Sequence, residues 1–259
     1  MKKIKKYTKH YLIFFLIVLC FLTFFVFSSG SEKKLLMNDL EYIVKLNDDG
    51  SATITENWDI YIGHINTLFR NFENGRGYDE ITDVSVKDVE SGKVFTKIYQ
   101  EMYHVTTNCF YALPIDRGLF EIAWGTGMEN STKNKKYQIK YTVENVVTKY
   151  EDVEEFYWKL LSPNNDIPVK NVKGTIYLPS SVKNLENLKV WGHGPLDGQI
   201  HKVDTNKVEF HIKDLEPKTM LEVRVATAEK MFNNSSKIRN YRYLNTMISE
   251  ETAWANKSN

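Results

Sequence analysis

From Leu36 onward, apolar and polar residues alternate with period two, the spacing of strands that bury one face. Tyr42, Val44 and Leu46 alternate with Ile43, Lys45 and Asn47. Asp48, Asp49 and Gly50 then predict a turn whose glycine takes positive φ. The next run sets Ile54, Trp58, Ile60 and Ile62 against Thr53, Thr55, Asn57 and Asp59, so the two runs predict a hairpin. Strand-like runs follow at 84–89, 94–99, 110–113, 119–124, 137–147 and 156–161. Turn clusters separate them at 73–77, 91–92, 125–134 and 162–166. A second group covers 172–178, 188–191, 199–203, 208–212 and 220–226.

Short strands without long amphipathic helices between them predict an all-β fold, an antiparallel β-sandwich. The expected organisation is two tandem sandwich modules, 37–161 and 167–227, with the second alternatively completing the first. Residues 235–257 carry Ile238, Tyr241, Leu244 and Ile248 at helical spacing and predict a solvated C-terminal connector helix with no evident partner face.

The first 30 residues break this pattern. An uncharged hydrophobic run from Tyr11 to Phe27 follows Lys2, Lys3, Lys5, Lys6 and Lys9. As a helix it would be about 25 Å long, near the reach of a membrane span. The preceding lysines predict a cytoplasmic N-terminus and an extracytoplasmic body, so residues 1–30 read as a signal peptide or a membrane anchor. Ser28 and Gly30 would suit a cleavage site that releases a secreted chain. Without those five lysines the balance is 29 basic against 33 acidic residues, about −4. That body, with no basic stripe, does not suit nucleic acid as a partner. Cys20 lies in the hydrophobic run and Cys109 alone in the body, so no disulfide within the body is expected and packing must stabilise it.

Candidate chemistry is sparse. The string WGHGPLDG, residues 191–198, offers Trp191 and His193 as candidates for an interaction loop, against the plainer reading of a tight turn. His201 and His211 are expected on opposite faces of a hairpin closed at Thr205 and Asn206, so no metal site is predicted. Glu151, Asp152, Glu154 and Glu155 read as a solvated strand entry, and Cys109 as a small core residue. Trp58, Trp124, Trp158 and Trp191 are core filling in one reading and a carbohydrate-stacking platform in another. No nucleophile motif, phosphate loop or cofactor fingerprint is present in the sequence, so no catalytic residue and no cofactor is expected.

Several segments in this order resemble one family. They are YIVKLNDDGSATITENWDIYI, TLFRNF with Arg70, YQIKYTVENVV, EFYWKLL followed by IPVKNVKGTIYLP, WGHGPLDG and LEVRVA. Together, from about Asp39 to Ala226, they are similar to DUF2207, a domain of unknown function in predicted bacterial membrane proteins. The resemblance implies an N-terminal signal or anchor, an extracytoplasmic β-rich domain and, in full-length relatives, further membrane helices after a connector like ISEETAWA. It implies no activity for any residue. The expected function is therefore a non-catalytic extracytoplasmic domain for sensing or interaction at the cell surface. Its expected partners are the membrane, through Tyr11 to Phe27, and other membrane or envelope proteins. The alternative is an envelope carbohydrate-binding module or glycan-acting enzyme.

Overall fold

The computed structural model describes residues 34–73, 77–116 and 118–258. The hydrophobic run and its lysines lie outside them. No helix among the described residues is long and apolar enough to cross a membrane.

The period-two pattern becomes β1 (Lys34–Leu46) and β2 (Ala52–Glu73), an antiparallel pair. Gly50 turns the chain between them at φ +83°. Along β2 the inward positions Ile54, Trp58, Ile60 and Ile62 are buried while their alternates are only partly covered. The chain continues through β3 (Ile81–Asp88), β4 (Thr96–Lys97), β5 (Cys109–Ile115), β6 (Leu119–Val143), β7 (Val147–Lys149) and β8 (Glu154–Leu161). Then come β9 (Val169–Tyr177), β10 (Leu188–His193), β11 (Gln199–Asp204), β12 (Lys207–Leu215), β13 (Leu221–Thr227) and the helix α1 (Leu244–Ser258). The larger sheet runs β11-β12-β9-β1-β2-β6-β5-β4 with β3 also on β6, and the smaller runs β10-β13-β8-β7. One hydrophobic core draws residues from both sheets.

This topology corrects the expected antiparallel tandem sandwich. β9 pairs with β1 in parallel, as β4 does with β5, so the larger sheet is mixed. Strands from both sides of the 161–168 seam lie in each sheet. The physical reason is that β1 has a second hydrogen-bonding edge, and β9 fills it while burying Val169, Val172 and Ile176. Alternation reveals which face is buried but not which strand lies alongside.

The predicted turn at 125–134 is also corrected, because β6 runs through it as one strand. It is bent against β2 by register shifts between Gly63 and Ile65 and between Ile65 and Thr67. Gly125 serves a close approach there: a Cβ would stand 2.3 Å from the Thr106 carbonyl oxygen. The run at 94–99 shortens to the two residues of β4. The predicted helix starts only at Leu244, and upstream Ile238 forms a bridge to Lys149 beside β7.

Candidate functional site

The smaller sheet turns one face to the core and the other to α1. On that outer face, Trp191, Arg224 and Tyr157 lie in one cross-strand row, and His193, Glu222 and Lys159 in the next. Trp191 and His193 therefore sit on strand β10, not in the loop expected from their glycines; the turn comes after them, where the Gly198 N–H donates to the Pro195 carbonyl. Both face α1. Trp191 packs beside the buried trio Val153, Ala226 and Met247, the last from the helix. His193 places Nε2 2.8 Å from a Glu251 carboxylate oxygen of the helix, with Nδ1 3.4 Å from the Tyr157 hydroxyl and 3.6 Å from Glu222.

Arg224 completes the clasp. Its guanidinium is nearly fully buried and donates to Glu155 at 2.5 Å, to Glu251 at 2.8 Å and to Glu250 at 3.2 Å. The first turn of α1 is capped from the body, with Asp152 accepting the N–H groups of Tyr243 and Leu244 at 2.8 and 3.3 Å. The acidic run predicted to be solvated is thus corrected: Glu154 and Glu155 are buried. Glu154 accepts the N–H groups of Met231 and Phe232, Glu155 holds Arg224, and Asp152 caps the helix. The solvated connector helix is corrected with it. Met247 is fully buried and Glu251 nearly so, while Ile248 and Trp254 remain substantially exposed.

The electrostatics of the clasp suit a latch better than a base. Burial disfavours a charged His193, but the carboxylates of Glu222 and Glu251 outweigh it and push the imidazole up to about 9. Burial raises Glu222 and Glu251, and their partners, His193 first, pull both below the usual carboxylate range. The histidine's contribution to docking is full below its unfolded value near 6.5 and is lost as pH rises through about 9. The carboxylate contributions are present above about 4.5 and are lost as pH falls through the lowered values. The latch is therefore tightest between about pH 4.5 and 6.5. Trp254 stacks edge-on against His193 at 4.8 Å and can report the change. The fluorescence difference between wild type and Trp254→Phe should titrate with a midpoint near 9; a midpoint near 6.5 would contradict the ion pairs.

Beside α1, an open cleft of about 620 Å³ runs past Trp191, His193, Leu196, Met220, Glu222 and Trp254. It shares Tyr157 and Glu222 with a second cavity of about 300 Å³ that reaches inward to Arg70, Phe72, Tyr78 and Trp158. Behind that cavity lies a charged group inside the core. Arg70 donates to Glu56 at 3.0 Å and to the carbonyls of Asn71 and Leu160. Glu56, fully buried, also accepts from Trp58 at 2.9 Å and Tyr141 at 2.7 Å. Tyr42 donates to the same Leu160 carbonyl, so this cluster ties β1 and β2 to β8 across the two sheets.

Strand parity carried a signal for that pair. Glu56 falls between Ile54 and Trp58 on the inward face, and Arg70 between Leu68 and Phe72. Two charges at inward positions of one strand imply pairing. Of the remaining candidates, Trp58, Trp124 and Trp158 are at most 5% exposed, which removes them as a stacking platform. Cys109 is half-buried against the small cluster of Val105, Tyr111 and Ala123. His201 and His211 are corrected: a register shift between Lys202 and Asp204 sets His201 opposite Glu209, so both histidines share a face. No group of three or more potential ligands that could hold a metal occurs among the described residues.

The fold and this face define a two-sheet β domain with a helix clasped over the smaller sheet. The chain belongs to the family described as predicted membrane protein (DUF2207), N-terminal domain, which matches residues 37–227. No curated protein matches the chain. Among solved structures it is similar to native yeast LTA4 hydrolase, at 10% identity and a TM-score of 0.45, over 74% of this chain and 29% of that one. It is also similar to an aminopeptidase N family protein from Idiomarina loihiensis, at 8% identity and TM-score 0.38, over 72% and 29% of the two chains. A third likeness is to the M1 zinc metallopeptidase from Deinococcus radiodurans, at 8% identity and TM-score 0.36, over 76% and 44%. The chain thus spans less than half the length of each of these structures.

Proposed function

We propose that this chain is a non-catalytic, extracytoplasmic domain of a membrane-associated protein, which senses or binds a partner at the cell surface through the cleft beside α1. The observation that carries this reading is the clasp itself. His193 and Glu251 both line the cleft, and their contact, with Arg224 also on Glu251, holds the helix, so whatever occupies the cleft acts on the helix. Both nitrogens of His193 face acceptors, and its raised proton affinity favours the imidazolium at neutral pH, which suits binding and not proton abstraction. Membership in a family of predicted membrane proteins supports the placement at a membrane.

Leu196, 78% exposed on the lip of the cleft, is the position at which to test it. A Leu196→Cys variant should react with a membrane-impermeant maleimide in intact cells, more slowly than in the purified full-length chain because a partner covers the lip. Reaction only after lysis would contradict the extracytoplasmic placement, and equal rates in cells and in purified protein would contradict an occupied cleft.

A further inference from the structure

The inner cavity has a composition that selects among ligands. Its charged groups come from three separate elements: Arg70 and Glu73 on β2, Lys159 on β8 and Glu222 on β13. The Lys159 ammonium stands 3.5 Å from Glu73 and 3.8 Å from Glu222, beyond the usual hydrogen-bond distance of about 2.7–3.2 Å. Lys159 therefore stands loosely between two acids, of which Glu222 also accepts the Tyr157 hydroxyl at 2.6 Å, in a space into which a ligand can enter. Tyr78, Tyr157 and Trp158 supply apolar wall, and the Ser162 hydroxyl, which accepts from the Asn164 N–H, keeps a proton to donate.

A simple anion entering here would meet Lys159 but also two carboxylates. A simple cation would meet those carboxylates but also Lys159, with the Arg70 guanidinium behind it. A molecule carrying both charges on neighbouring atoms satisfies both sides and replaces the loose contacts of Lys159 with short ones. The volume of about 300 Å³ lies at the small end for ligand sites, and the aromatic wall suits an apolar substituent.

We propose that this cavity binds a small zwitterion, an α-amino acid with an apolar side chain. Its ammonium is held by Glu73 and Glu222, its carboxylate by Lys159 and Ser162, and its side chain by the rings of Tyr78 and Tyr157. The proposal deepens the sensing reading and rests on it in one respect, the link to the helix. Glu222 faces the cavity and also faces His193, so a ligand ammonium on Glu222 competes with the imidazolium and loosens the clasp on Glu251. Binding is then transmitted to α1.

Calorimetric titration of the full-length chain in detergent micelles tests it, with L-leucine, L-methionine and L-phenylalanine as probes. At least one should bind saturably. Its amide, which lacks the carboxylate, and its N-acetyl form, which lacks the ammonium, should each bind at least tenfold more weakly. Lys159→Met, at a partly exposed position, should lose at least tenfold in affinity with an unchanged melting temperature. Equal binding of the free and blocked forms, unaltered binding by Lys159→Met, or no binding of any probe overturns the proposal. Binding with this pattern but no increase in amide exchange of α1 upholds the site and overturns its link to the helix. The labelling rates of Leu196→Cys in cells are independent of all these outcomes.

Discussion

Replacing Arg70 by methionine is expected to lower the free energy of unfolding by about 3–5 kcal/mol, the cost of leaving a buried charge without its partner. Glu56 is fully buried and would keep only the hydrogen bonds from Trp58 and Tyr141. The Leu160 carbonyl would lose one of two donors, and Phe72 the guanidinium that lies 4.4 Å from its ring centre. Because these groups join β1 and β2 to β8, the loss falls on the whole domain, and urea denaturation should show one cooperative transition at lower denaturant. Removing both charges, in Glu56→Gln with Arg70→Met, should recover a substantial part of the loss, since no buried charge is then unpaired. Strictly additive single and double variants would contradict this account of the cluster.

Arg224→Met should behave differently although its guanidinium is as deeply buried. It leaves Glu155 without its cation and Glu251 with His193 alone, again a penalty of about 3–5 kcal/mol if both remained buried. Glu251, however, lies on α1, and undocking the helix returns it to water. The cheaper route is therefore local release, resisted by His193 on Glu251, by the Asp152 cap and by Met247 with its contacts to Val153 and Ala226. The expected result is a sheet core that unfolds near the wild-type midpoint and a helix whose trypsin sensitivity, at Lys257 or Arg242, rises by at least tenfold. A drop in the global midpoint with no change in local proteolysis would show that the helix is integral to the core.

The contrast between the two arginines also explains what the sequence could reveal. The turn at Gly50 and the inward face of β2 follow from short-range patterning, and the same parity marks Glu56 and Arg70 as inward charges. Arg224 has the opposite phase, between the inward Val223 and Val225, and by pattern alone faces water. What covers it is a helix some twenty residues further along the chain, and no local rule reports that contact. Glu154 and Glu155 were misleading for the same reason, because a run of acids looks solvated until its distant hydrogen-bond donors, Arg224 and the Met231 and Phe232 amides, are in place. Of the helical spacing Ile238, Tyr241, Leu244 and Ile248, only Leu244 docks; the other three are exposed. The docked stripe is Leu244, Met247 and Glu251, whose last member is charged and so carries no hydrophobic signal. The parallel pairing of β9 with β1 is a matter of neighbour choice, to which period-two patterning is blind.

The helix α1 is held on the smaller sheet by Glu251, through His193 and Arg224, and by Met247. Amide hydrogen exchange of the full-length wild-type chain at pH 6, inside the window where the clasp is tightest, tests this docking directly. The amides from Met247 to Trp254 are predicted to exchange at least a hundredfold more slowly than an unstructured chain of the same sequence, and to lose that protection in Arg224→Met while β13 keeps its own. Exchange of these amides at the unstructured rate in the wild-type protein would contradict the latch, and with it the coupling of cleft to helix.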